Sequence, residues 1–139
     1  MNIDTHGHFV PSSFLEGVAS QRRMFPSVKV HNEKPGMRFS FGPLAPTRPV
    51  GALLHDIEKR KEWLTKARVD YQLVGSWLDI FGYELPPEEG ADWCRFMNET
   101  MLKDIKPLPA LKPLACVPLQ SGKLAARVLE EALGQGFHG

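Results

Sequence analysis

Apolar and polar positions along the chain change rhythm near residue 50. Beyond that point the pattern is regular. GALLHDIEKRKEWLTKARVD (51–70) carries Leu53, Leu54, Ile57, Leu64 and Ala67 near one helical face, with charges opposite, which predicts one helix over 51–68. YQLVGSW (71–77) is a short apolar run and predicts a strand. Residues 78–90 hold Pro86 and Pro87 and predict a loop, with Glu88 and Glu89 opening the next helix, where carboxylates favour the positive dipole end. Over 91–105, Cys94, Met97, Met101 and Ile105 recur at helical spacing. PLACVPL (113–119) predicts a buried strand, with Cys116 in the core. Ser121 starts a helix with Leu124, Val128, Ala132 and Leu133 inward, and the glycines of GQGFHG stop it before one more strand.

Before residue 50 the rhythm is weaker. Asn2 to His6 predicts a short strand. Residues 11–50 then run on with little periodicity, and Pro35, Gly36, Gly42, Pro43, Pro46 and Pro49 break any long element. Part of 12–25 fits a short helix, and MRFSF (37–41) alternates like a hairpin arm. A connection this long suggests a lid or insertion. The order is strand, long loop, helix, strand, helix, strand, helix, start of strand. Apolar strands alternating with amphipathic helices imply an α/β fold with a parallel sheet of βαβ units.

The chemistry concentrates at the first strand, IDTHGHFVP (3–11). On a regular strand, residues i and i+2 share a face. His6 and His8 therefore aim to one side, at the carboxyl end where α/β folds place their sites. Imidazole suits Zn²⁺ and similar metals. Gly7 between them leaves room for a metal or substrate. Asp4 has the same parity and is expected to orient a ligand histidine from behind. An HxH can also arise by chance; its place at a strand end, behind Asp4, favours the metal. His31 and His55 read as solvated, and His138, ahead of the next strand, is not expected to be a ligand.

Composition narrows this further. The 139 residues carry a formal net charge of +1, so no basic stripe points to nucleic acid. No apolar run approaches the ~20 residues of a membrane helix. Only Met1 and Asn2 precede Ile3, so no leader peptide is expected. Cys94 and Cys116 form no CxxC pair, which fits a reducing cytoplasm.

These residues resemble a known family. IDTHGHFVPSSFLE is similar to the opening of the amidohydrolase-related (amidohydrolase 2) family that includes aminocarboxymuconate-semialdehyde decarboxylase and the aromatic-acid decarboxylases. LLHDIEKRKEWLTKARVDYQLVGSW resembles its first regular helix and second strand. WCRFMNETML resembles a helix with a characteristic Asn, here Asn98. LKPLACVPLQ resembles the third strand with its proline, here Pro118, and GFHG resembles the lead into a fourth. The resemblance implies the amino-terminal part of a metal-dependent (β/α)8 TIM barrel over 1–139, about three βα units, with 11–50 as an insertion after strand 1.

It further implies a divalent metal, Zn²⁺ or else Mn²⁺, with His6 and His8 as its first two ligands. The family's later histidine and aspartate ligands fall on strands not present here, and a barrel needs about 250 residues. The implied substrate is a small aromatic or unsaturated carboxylic acid, with Arg38 as the carboxylate anchor and Trp77 stacking on a flat substrate. Arg48 is a weaker candidate of the first kind; Phe9 and Pro11 would shape the pocket wall. The implied reaction is decarboxylation or hydrolysis by a full-length parent enzyme, which would form a homodimer; the 139 residues alone are expected to be inactive. The rivals are a PHP-type phosphoesterase, disfavoured by Phe9-Val10-Pro11, and an inactive remnant or interaction module.

Overall fold

The computed structural model describes residues 1–20 and 24–139. The elements are β1 (Ile3–His8), α1 (Ser12–Ser20), β2 (Val28–Glu33), β3 (Gly36–Phe41), α2 (Ala52–His55), α3 (Ile57–Ala67), β4 (Tyr71–Gly75), a 3-10 turn (Leu78–Ile80), α4 (Pro87–Ile105), β5 (Leu111–Pro113) and α5 (Gly122–Gln135). β1, β4 and β5 form one parallel sheet in that order. β2 and β3 form a separate antiparallel hairpin. The short helix expected within 12–25 is α1; residues 21–23 of that stretch lie outside the described residues.

Local chemistry explains the boundaries. Asp56 caps α3 by accepting the Lys59 N–H at 3.0 Å. The single helix expected over 51–68 is thus two, because Asp56 is extended and ends α2 as it starts α3. The Leu54 carbonyl is used elsewhere, accepting from Val10 N–H at 2.9 Å and tying α2 to the exit of β1. Leu53 and Ala67, expected inward, are exposed. Pro87 and two glutamates open α4. Ser121 caps α5, and Gly136, at φ 107°, ends it in the left-handed region that glycine tolerates. Leu133, also expected inward, is exposed.

β5 (Leu111–Pro113) lies ahead of the strand expected over 113–119 and shares only Pro113 with it. Past Pro113 the chain is held by other means. Leu114 N–H donates to the Val74 carbonyl, and Ala115 N–H to the carbonyl of Gly139. Buried Asn98 then clamps Cys116 through both backbone groups, at 2.9 and 2.8 Å. The last residues run beside β5, where His138 N–H meets the Pro113 carbonyl.

Two apolar clusters build the core. One lies between the sheet and its helices: Val74 and Leu111 pack with Leu64 of α3, Met101 and Ile105 of α4, and Ala132 of α5. The other holds the 11–50 region against α4. Trp93 is fully buried, donates Nε1–H to the Ile80 carbonyl at 2.8 Å, and meets Phe14, Phe25, Phe39 and Phe41 with ring centroids 5.0–6.0 Å away. The insertion is a packed helix and hairpin, where weak periodicity suggested open loop. β2 escaped the sequence pattern because VKVHNE is mostly polar.

Candidate metal centre

β1 is not a regular strand. Asp4 pairs with Gln72 and Gly7 with Val74, so three steps on β1 match two on β4. The extra residue is a bulge, and a bulge shifts side-chain parity. Gln72 and Val74 are buried toward the helices, while Tyr71 and Gly75 lie on the other face. Asp4 and Gly7 therefore share the helix side. His6 and His8 follow the irregular step and line one cleft together with Asp4, Gly7, Arg60 and Gln72.

The two imidazoles stand together, their ring centroids 4.9 Å apart and their planes at 86°. His6 is exposed and His8 half-buried. His8 Nδ1 lies 3.0 Å from the Ser76 carbonyl oxygen. A carbonyl only accepts, so Nδ1 carries the proton and Nε2 keeps its lone pair for a ligand. The group bonded directly to a histidine ring is thus the backbone carbonyl of Ser76, just past β4.

Asp4 meets the backbone of the motif rather than a ring. Its carboxylate accepts the His6 backbone N–H at 3.1 Å, satisfying a peptide group that has no partner in the ladder register, and the Gln72 amide at 2.6 Å. Those bonds, the Gln72 amide first, hold the Asp4 carboxyl below its usual value. Gln72 in turn accepts from Arg60 Nη1 at 3.1 Å, and Arg60 Nη2 donates to the His8 carbonyl at 2.6 Å. Burial pushes the Arg60 guanidinium down from its usual value, and the Asp4 charge opposes that shift. Gly7 matters to these bonds as well. A Cβ there would lie 2.8 Å from Gln72 Cδ, so the glycine makes way for Gln72.

A cleft of about 390 Å³ runs along this part of β1, lined by His6, His8, Leu53, Lys59, Arg60 and Trp63 among others. The other substrate candidates lie elsewhere. Arg38 is half-buried in the hairpin and donates Nε–H to the Thr47 carbonyl at 2.8 Å. Trp77 is buried in the aromatic cluster at 8 % exposure, with the Arg48 guanidinium 5.3 Å from its ring centre. Arg48 makes a two-pronged pair with Asp79 at 2.9 and 2.7 Å, which uses its carboxylate-binding edge internally. Phe9 is core, and His31 bonds Ser40 across the hairpin. Among the described residues, no three His, Cys, Asp or Glu side chains gather as a metal set.

Sequence reasoning passed over Arg60 and Gln72. Gln72 left a signal, since a polar side chain amid the apolar residues of YQLVG needs a partner. Arg60 left none, because KRKEW reads as a solvated helix face. The cysteines, 22 residues apart, meet in the core as free thiols with sulfurs 3.4 Å apart; the Cys116 contact and burial push the Cys94 thiol up.

The class is thus α/β, a parallel sheet covered by helices, with two histidines at the carboxyl end of its first strand. No protein-family model and no curated protein matches the chain. Among solved structures it is similar to a Staphylococcus aureus protein described as a "putative amidohydrolase", with a TM-score of 0.63 and 14% identity. The match covers 98% of this chain and 35% of that one, so the chain spans about a third of that protein's length. At this identity the likeness is one of fold. No helix among the described residues is long and apolar enough to cross a membrane.

Proposed function

We propose that residues 1–139 are the amino-terminal portion of a metal-dependent (β/α)8 barrel enzyme of the amidohydrolase type, with His6 and His8 as ligands of a divalent cation, zinc before manganese. The observation that carries this is the histidine pair itself: two rings on the same face of β1, with His8 Nε2 left free by the Ser76 contact. The donor set fits zinc, which takes imidazole nitrogen. When bound, the metal supplies Lewis acidity and a template for substrate oxygens. Catalytic zinc sites use three protein ligands, so the set is completed by residues of further barrel strands.

The favoured reaction is non-oxidative decarboxylation of a small aromatic or unsaturated carboxylic acid. The resemblance of the opening motif and the strand–helix order supports it. Hydrolysis of an ester, lactone or C–N bond is the second reading, favoured by the name of the S. aureus neighbour. Arg38 and Trp77 enter as carboxylate anchor and stacking surface through the resemblance alone, since neither lines the histidine cleft. A reducing cytoplasmic setting accords with two adjacent free thiols, and the full-length enzyme is proposed as a homodimer.

Metal titration tests the core of this reading. The purified chain should take up zinc weakly enough to lose it on dialysis, and uptake should vanish in His6→Ala and His8→Ala. In a complete barrel the same substitutions should abolish turnover. Assaying CO₂ release against ester or amide cleavage separates the two reactions. Zinc uptake unchanged in both variants would overturn the assignment.

A further inference from the structure

A chain of hydrogen bonds runs beside the histidine motif and is tied to its backbone. It starts on α3 with Arg60, passes through Gln72 of β4 and ends on Asp4 of β1. Its two ends grip the backbone: Arg60 holds the His8 carbonyl, and Asp4 holds the His6 N–H. These are the backbone groups of the two residues flanking Gly7, and Gln72 presses directly against Gly7 between them. We propose that Arg60, Gln72 and Asp4 form a positioning relay that fixes the bulge of β1 and thereby the mutual orientation of the His6 and His8 rings.

The relay has a direction. Guanidinium only donates and carboxylate only accepts, so the Gln72 amide has one orientation that satisfies both neighbours: oxygen toward Arg60, nitrogen toward Asp4. Gln72 is 2 % exposed, so a broken link leaves a buried polar group without a partner. Asparagine at position 4 would still accept from His6 N–H but meet Gln72 less well, because a neutral amide is a weaker acceptor than a carboxylate. A methionine at 72 keeps the length of the side chain and breaks both links at once. Loss of the groups that orient metal ligands from behind weakens metal binding by about 10–100-fold. The zinc arm of the test rests on the proposed role of His6 and His8; the ring geometry does not.

The experiment uses the 139-residue chain with isotope-labelled histidine. Metal-free, the nuclear Overhauser contact between the His6 and His8 rings and the His8 tautomer are read by NMR; zinc affinity is then read by chelator competition. Gln72→Met should lose the inter-ring contact and bind zinc about 10–100-fold more weakly. Asp4→Asn, at the accessible end of the relay, should show the same changes in smaller degree and serves where Gln72→Met fails to fold. Val128→Ala, a core truncation on α5, should lower the melting temperature yet leave ring contact and zinc affinity as in the parent. The relay is overturned if both relay variants keep the ring contact and bind zinc within about twofold of the parent. It is equally overturned if Val128→Ala shows the same losses. A parent chain that takes up no zinc refutes the metal reading, and the ring contact alone then decides the relay.

Discussion

Tyr71 and Val74 lie on the same short strand, yet Tyr71 is 40% exposed and Val74 fully buried. The contrast runs across the whole sheet. On one face Gln72, Val74 and Leu111 are sealed beneath α3, α4 and α5. On the other, Ile3, Thr5, Tyr71 and Leu73 line an open hollow of about 550 Å³ with Lys112 and His138. The covered face holds the apolar contacts and the Arg60–Gln72–Asp4 bonds. The two histidines line a separate cleft on the edge strand β1, which they share with Asp4, Arg60 and Gln72. The apolar packing is thus confined to one side of a single layer, and the histidine cleft adjoins it through those bonds.

Truncation on the covered side should produce the largest effect. Leu111→Ala should cost about 2–5 kcal/mol in urea unfolding, as for a buried leucine, while Ile3→Ala on the open side stays within about 0.5 kcal/mol. Equal costs would erase the distinction. Gly7→Ala comes next. It drives a Cβ into Gln72 from the covered side and should cost about 1–3 kcal/mol, with the same assay as its check.

Acid gives a smaller and graded effect on the helical cover. Arg95 of α4 grips Glu131 of α5 at 2.7 and 3.2 Å and holds that carboxyl below its ordinary 4.5. A depressed carboxylate stabilises the fold above its unfolded value and loses that contribution as pH falls through the lower, folded one. The gap in melting temperature between the parent and Glu131→Gln should therefore be present near neutral pH and close below 4.5. A gap that widens in acid would refute the pairing. Smallest of all is the stability change in His6→Ala: within about 0.5 kcal/mol by urea unfolding, since the ring is exposed, even though zinc uptake is lost. A larger cost would mean that the histidine cleft carries fold as well as site.

The sequence made some of this legible. Periodicity located β4, α4 and α5, because Cys94, Met97, Met101 and Ile105 obey a local rule that burial then enforces. The histidine pair was visible because two imidazoles at a strand end are chemically conspicuous. The features that escaped are non-local. The break at Asp56 depends on where Leu54's carbonyl goes, and that is decided by Val10, far away in the chain. The bulge depends on the match of β1 to β4 and leaves no mark in composition. Arg60 looks solvated until Gln72 and the His8 carbonyl are placed beside it. The cysteines, unpaired by spacing, are neighbours only in the folded core.

The bulge also bears on how the motif travels between proteins. As letters, Asp4, His6 and His8 form an every-second-residue set that a designer could graft onto any straight strand. In such a host nothing would hold the His6 N–H or the His8 carbonyl. The portable unit is larger: the extra residue between Asp4 and Gly7, an unsubstituted position at Gly7, a glutamine on the adjoining strand and an arginine on the covering helix. Three elements, β1 and the distant pair α3 and β4, must be moved together, so the five-letter signature marks the site without being sufficient to rebuild it.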